Sequence, residues 1–215
     1  MKHKLTWLLS ALMIPAGLAI AEDAVSPTAE TVLFNGRDFT GWIKFVPDQD
    51  VDVDEVWTVR DGVIHCIGKP NGYIRTTTPY ANYRLSLEWR WPAEPTNSGV
   101  LLHARGEDKV WPKCVEAQLM NQKAGDFWLI ANATIEVDGK TIGPKNFANG
   151  PMRKPSSEKP VGEWNTYDIT CDGGMVELRV NGVLQNAGTN ANPADGYICL
   201  QSEGSPIEFR NLVLR

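Results

Sequence analysis

Residues 83–119 carry the pattern that most constrains this chain: three short runs in which apolar and polar side chains alternate one by one. In the first, Tyr83, Leu85, Leu87, Trp89 and Trp91 alternate with Arg84, Ser86, Glu88 and Arg90. In the second, Val100, Leu102 and Ala104 alternate with Leu101, His103 and Arg105. In the third, Val115, Ala117 and Leu119 alternate with Cys114, Glu116 and Gln118. Successive side chains of an extended strand point to opposite faces, so a period of two predicts strands with one core side and one polar side. If the three strands share a sheet, Glu88, His103, Glu116 and Gln118 converge on one patch of groups able to move protons or grip hydroxyls.

The same grammar continues along the chain. Val56–Val59 and Val63–Ile67 are joined by Arg60-Asp61-Gly62, and Asn165–Cys171 and Met175–Val180 flank Asp172-Gly173-Gly174. Asp138-Gly139 closes the run Thr134–Val137, and Asn181-Gly182 is a further tight turn. Asn-Gly, Asp-Gly and Gly-Gly pairs tolerate the positive φ that two-residue hairpin turns require. With Phe127–Ile130, Gly196–Gln201 and Ile207–Leu214 the count reaches about a dozen strands without an internal repeat. That combination predicts an all-β, two-sheet antiparallel sandwich rather than a propeller.

Two segments depart from the pattern. Asp48–Glu55 holds five acids; their alternation with valine fits a solvated strand edge better than a calcium loop, since the spacing is not that of an EF-hand. Lys140–Glu163 contains Pro144, Pro151, Pro155 and Pro160 among small and polar residues, which predicts a long loop, either a lid bordering a site or a surface excursion.

The first residues have the form of an export signal. Lys2 and Lys4 precede a mostly apolar run over Leu5–Ile20, and Ala19-Ile20-Ala21 supplies the small-x-small cleavage pattern. Cleavage after residue 21 leaves 194 of the 215 residues (215 − 21), expected to form a single β-sandwich domain over 22–215. Loss of the two lysines moves the net charge from −5 to −7. An acidic exported chain without a basic run is a poor partner for nucleic acid or an anionic membrane, and no later segment is long and apolar enough to span a bilayer. The expected location is the periplasm or the extracellular space. The four cysteines, Cys66, Cys114, Cys171 and Cys199, are compatible with two disulfides in any of three pairings or with four thiols.

Eight phrases, taken in order, resemble the 3-keto-disaccharide hydrolase family: LFNGRDFTGW (33–42), VWTVRDGVIHCIG (56–68), YRLSLEWRW (83–91), NSGVLLHARG (97–106), WPKCVEAQL (111–119), GEWNTYDITCDGG (162–174), VNG (180–182) and GYICLQSEGSPIEFRNL (196–212). The resemblance implies a concanavalin A-like jelly roll and an enzyme acting on oxidised sugars. The family pattern commonly carries Arg where this chain has His103, so His103 inherits no role from it.

The residues themselves admit a matching chemistry. Conventional glycosidases need two carboxyl groups about 5–5.5 Å or about 6.5–9.5 Å apart, whereas the same-face neighbour of Glu116 is the amide of Gln118. A 3-keto glycoside is easier to open. The ketone acidifies the C2 hydrogen, so a base removes it, the C1 substituent leaves by β-elimination, and water adds to the unsaturated sugar. Glu116 and His103 are the expected base and acid in either order, with Glu88 as a further carboxyl. Arg105 or Arg210 would stabilise the enolate, or a divalent metal held by carboxylate and imidazole would do so. Asn97, Gln118 and Gln201 are expected to bind sugar hydroxyls, and Trp128 to stack on a ring. A non-catalytic carbohydrate-binding module and a conventional two-carboxylate glucanase remain the alternatives.

Overall fold

The computed structural model describes residues 23–215, and the signal expected over 1–21 lies outside the described residues. The strands are β1 (Thr31–Val32), β2 (Trp42–Phe45), β3 (Trp57–Arg60), β4 (Val63–Cys66), β5 (Gly72–Thr76) and β6 (Tyr83–Arg90). They continue as β7 (Gly99–Arg105), β8 (Lys113–Gln118), β9 (Phe127–Ile130), β10 (Thr134–Val137), β11 (Lys140–Ile142) and β12 (Phe147–Gly150). The last are β13 (Asn165–Asp172), β14 (Met175–Val180), β15 (Val183–Asn192), β16 (Tyr197–Ser202) and β17 (Ile207–Leu214).

Two antiparallel sheets result. A ten-stranded sheet runs β11-β10-β15-β14-β13-β6-β17-β4-β3, with β1 added on β17; a seven-stranded sheet runs β12-β9-β8-β7-β16-β5-β2. The expected hairpins form where the turn residues demand them: Asp61 and Gly62 both have positive φ between β3 and β4, as do Gly173 and Gly174 between β13 and β14.

The sheets face each other across one core. Leu85, Leu87 and Trp89 of β6 meet Val100 and Leu102 of β7 and Val115 and Ala117 of β8, together with Trp57, Tyr167 and Phe209. Fully burying a side chain of this kind contributes roughly 1.5–3 kcal/mol, so the alternation of β6 and β8 is what holds the layers together. A smaller apolar cluster, Tyr73, Leu101, Ala104, Cys114, Ile130 and Cys199, lies on the other face of the seven-stranded sheet, with Trp111, Phe45 and Tyr197 packed on it.

Several expectations need correcting. The acidic run is not a strand edge: Val53–Val56 form one helical turn, α1, with the Asp52 carboxylate capping the Asp54 amide and Asp54 and Glu55 in the favoured first turn. The Lys140–Glu163 segment is not all loop, because β11 and β12 lie within it. The cysteines, left open between two disulfides and four thiols, are all free and buried. Burial pushes the Cys66 thiol up to about 11 and Cys171 to about 12, so all are held as inert thiols.

Candidate active site

Glu116 stands on β8 between Leu101 of β7 and Trp128 of β9. Its neighbours Val115 and Ala117 belong to the core between the sheets, so strand alternation turns the carboxyl to the other face. There it leans over Gly99 of the adjoining β7, the residue paired with Gln118 of its own strand. A Cβ on Gly99 would lie 2.3 Å from Glu116 Oε1, so bare backbone is what makes room for the carboxyl. Glu116 is only 4% exposed, and Oε1 has no hydrogen-bond partner. Burial, and secondarily the charge of Glu203, hold its pKa well above the ordinary carboxylate range.

A cavity of about 410 Å³ opens over this face, lined by Asn97, Glu116, Gln118 and Glu203 on its polar side and by Trp111, Met120, Trp128, Ile130 and Phe147 on its apolar side. Glu203 follows β16, where Cys199, Gln201 and Glu203 share a face by alternation, and it is bridged to Asn97. Burial raises the Glu203 pKa, and the neighbouring Asn97 side chain partly offsets that rise by favouring the charged form. The Gln118 side chain is locked, since its Oε1 accepts the backbone amides of Leu119 and Met120, 2.8 Å each; its NH₂ is left as a donor. Gln201 stands beside Tyr73 on the same sheet, 2% exposed, with neither amide atom partnered.

The loop joining β7 to β8 is pinned back over the sheet. Tyr73 donates to Asp108 Oδ1 at 2.8 Å, and Arg75 donates to both carboxylate oxygens at 2.8 and 3.0 Å. This clamp brings Trp111 to the cavity, where its ring meets Phe147 edge-on with centroids 5.8 Å apart.

The polar patch expected from alternation is therefore only partly assembled. Glu116, Gln118, Asn97 and Trp128 line one cavity, and Gln201 lies on the same sheet. Glu88 does not join them. Its strand β6 belongs to the opposite sheet, paired with β13 and β17, and its carboxylate accepts Arg210 Nε at 2.6 Å and Asn211 Nδ2 at 3.2 Å. Arg210 is thereby also removed from the cavity, its guanidinium stacked 4.0 Å from the Trp164 ring centroid. Arg105 donates to the backbone oxygen and carboxylate of Asp195 and does not line the cavity.

His103 is displaced by backbone geometry. The β7–β8 register shifts between Leu102 and Arg105, and His103 takes φ 58. The bulge puts Ala104 in the cluster with Leu101 and Cys114, while the imidazole stands edge-on to Tyr83 at 5.5 Å with Nδ1 3.4 Å from Pro193 O. Burial lowers its pKa to about 4. The carboxylate–imidazole pair that was the alternative to arginine, as holder of a metal, is consequently not brought together at the cavity, and no group of three or more His, Cys, Asp or Glu among the described residues is arranged for one.

Residues the sequence reading missed are Glu203, Trp111, Met120, Ile130 and Phe147. Extending the β16 alternation two residues past Gln201 would have found Glu203. Trp111 and Phe147 had no local signal, because a loop clamp and an edge strand bring them in.

Residues 29–215 match the 3-keto-alpha-glucoside-1,2-lyase-like domain family. The chain belongs to this family. Proteins of similar shape include one from Parabacteroides distasonis ATCC 8503, provisionally assigned as a glycosyl hydrolase, with 26% identity and TM-score 0.64 over 86% of this chain and 93% of that one. The fold alone is shared with the carbohydrate binding module CBM66 from Bacillus subtilis (8% identity, TM-score 0.56, 80% and 93% covered) and with Bacillus licheniformis beta-glucanase (11%, 0.55, 86% and 96%). This jelly-roll sandwich thus serves both hydrolases and binding modules. No curated protein matches the sequence.

Proposed function

We propose that this lyase-like domain cleaves the glycosidic bond of a 3-keto glycoside by elimination followed by hydration. The observation that carries the reading is the buried, partnerless carboxyl of Glu116 facing one cavity with a second carboxyl, Glu203. Two carboxyls that repel each other in a desolvated site hold one proton between them over an intermediate pH range. Glu116, the more enclosed, keeps that proton; Glu203, which Asn97 stabilises as an anion, is the carboxylate.

Glu203 then takes the hydrogen from C2, the electron pair passes to the C3 oxygen as an enolate, and the NH₂ of Gln118 is placed to donate to a sugar oxygen. Collapse of the enolate forms the C1–C2 double bond and expels the C1 oxygen, which Glu116 protonates. Water adds at C1, a proton returns to C2, and the sum is hydrolysis. Family membership supports the keto sugar as substrate, and the amino-terminal pattern over residues 1–21 supports action outside the cytoplasm.

The shared pair also favours one second reading, a conventional two-carboxylate glycosidase. Incubating matched glycosides and 3-keto glycosides in D₂O separates them. Turnover confined to the keto sugar, with deuterium at C2, is the expected result. Cleavage of the unoxidised glycoside with C2 unlabelled would overturn it, and sugar binding without turnover would identify a binding module.

A further inference from the structure

We propose that the apolar half of the cavity is an aglycone subsite that selects a flat hydrophobic aglycone, such as an aromatic alcohol, over a second sugar. The inference rests on the proposed cleavage reaction for its orientation, with the sugar over Glu116 and Glu203.

The argument begins from strand register. Trp128 of β9 is directly opposite Glu116 of β8, Ile130 is opposite Cys114, and Phe147 of β12 is opposite Ile130. Within one strand spacing, ~4.8 Å, the face changes from proton-bearing to apolar. Toward β16 and β5 the surface is already filled: Gln201 and Tyr73 are buried, and Asp108 is clamped to Tyr73 and Arg75. A substituent leaving a sugar held over Glu116 therefore has room only over Trp128 and toward Phe147.

The apolar wall is unsuited to a second sugar. A hexosyl aglycone brings several hydroxyls, each costly to desolvate without a partner. The side chains of Trp111, Met120, Trp128, Ile130 and Phe147 offer no hydrogen-bond donor beyond the two indole N–H groups. A planar apolar ring, by contrast, fits beside the edge-on pair formed by Trp111 and Phe147. Phe147 and Met120 are 43% and 42% exposed at the rim, so covering them removes apolar surface from water. The volume of about 410 Å³ falls within the ~300–1,000 Å³ of ligand pockets and exceeds what a single sugar ring needs.

Benzyl and methyl 3-keto glucosides provide the test, because benzyl alcohol and methanol are leaving groups of nearly equal acidity. The expected kcat/KM is roughly ten- to a hundred-fold higher for the benzyl compound, with a 3-keto disaccharide no better than the methyl one. Phe147→Ala, on an exposed edge strand, should reduce the benzyl-to-methyl ratio several-fold, and Met120→Ser should do so independently. Calorimetric binding of the unoxidised benzyl glucoside, methyl glucoside and a glucosyl disaccharide keeps the two proposals separable. Tighter binding of the benzyl compound without turnover of any keto sugar would sustain the subsite and reject the reaction. Turnover with equal benzyl and methyl values, or with preference for the disaccharide, would overturn the subsite and leave the reaction standing; tighter calorimetric binding of the disaccharide would overturn the subsite whatever the turnover.

Discussion

Substitution of Gly99 by alanine is the most direct probe of the carboxyl pair, because it acts on Glu116 without touching its chemistry. Gly99 is not among the residues with positive φ, so an alanine backbone is accommodated. The new Cβ would lie 2.3 Å from Glu116 Oε1, 2.8 Å from Cγ and 2.9 Å from Cδ. Restoring van der Waals contact requires the carboxyl to move by about 1 Å, and a misplacement of that size costs roughly 10²-fold in rate. Stability changes much less. Overpacking costs about 1–3 kcal/mol, offset by about 0.4–1 kcal/mol from the stiffer unfolded chain. A chain of this size should lose at most about 10 °C in Tm. The assay is kcat/KM on a 3-keto glycoside with circular dichroism and thermal unfolding alongside. A double-mutant cycle with Glu116→Gln completes it: if Gly99→Ala acts through Glu116, it should cost little further activity in the Glu116→Gln background. A folded Gly99→Ala protein with wild-type kcat/KM would refute the placement of Glu116 at the reacting centre.

Glu116→Gln should lower turnover by roughly 10²–10⁴-fold yet stabilise the fold at high pH. Its folded pKa is raised, so the stabilising proton is fully present below about pH 4.5 and is lost as pH rises through the folded value. Urea unfolding should show the variant more stable than wild type at pH 8 and equal to it near pH 4. Glu203→Gln should lose activity on every 3-keto glycoside, whereas Glu116→Gln should recover much of its activity on a nitrophenyl 3-keto glycoside, whose leaving group needs no proton; identical profiles would reject the division of roles. For His103 the sign is opposite: its folded pKa is lowered from 6.5 to about 4, so stability falls as pH drops through that window. His103→Asn, which tolerates positive φ, should flatten this acid loss in thermal unfolding scans. Thiol titration should find no reactive cysteine in the native protein and four after denaturation; fewer than four would reveal a disulfide.

Features governed by neighbours along the chain were legible in the sequence. Alternation in 83–91 and 115–119 assigned core faces correctly because side-chain direction in a strand has a local period of two. The Asp-Gly and Gly-Gly turns placed their hairpins for the equally local reason of positive φ. The strand β15, VLQNAGTNAN, was illegible: its composition is that of a loop, and it is extended because β14 and β10 pair with it from both sides. The site itself depended on long-range pairing. Glu88 and Glu116 have the same local pattern, but β6 joins β13 and β17 while β8 joins β7 and β9, and such pairings between distant segments leave no local trace. The side on which His103 falls was set by a bulge at a close approach to Gly196, whose missing Cβ would lie 2.6 Å from the His103 carbonyl carbon. Alternation specifies two faces; only the packed sheets determine which face meets water, which meets the core, and which carboxyl finds another beside it.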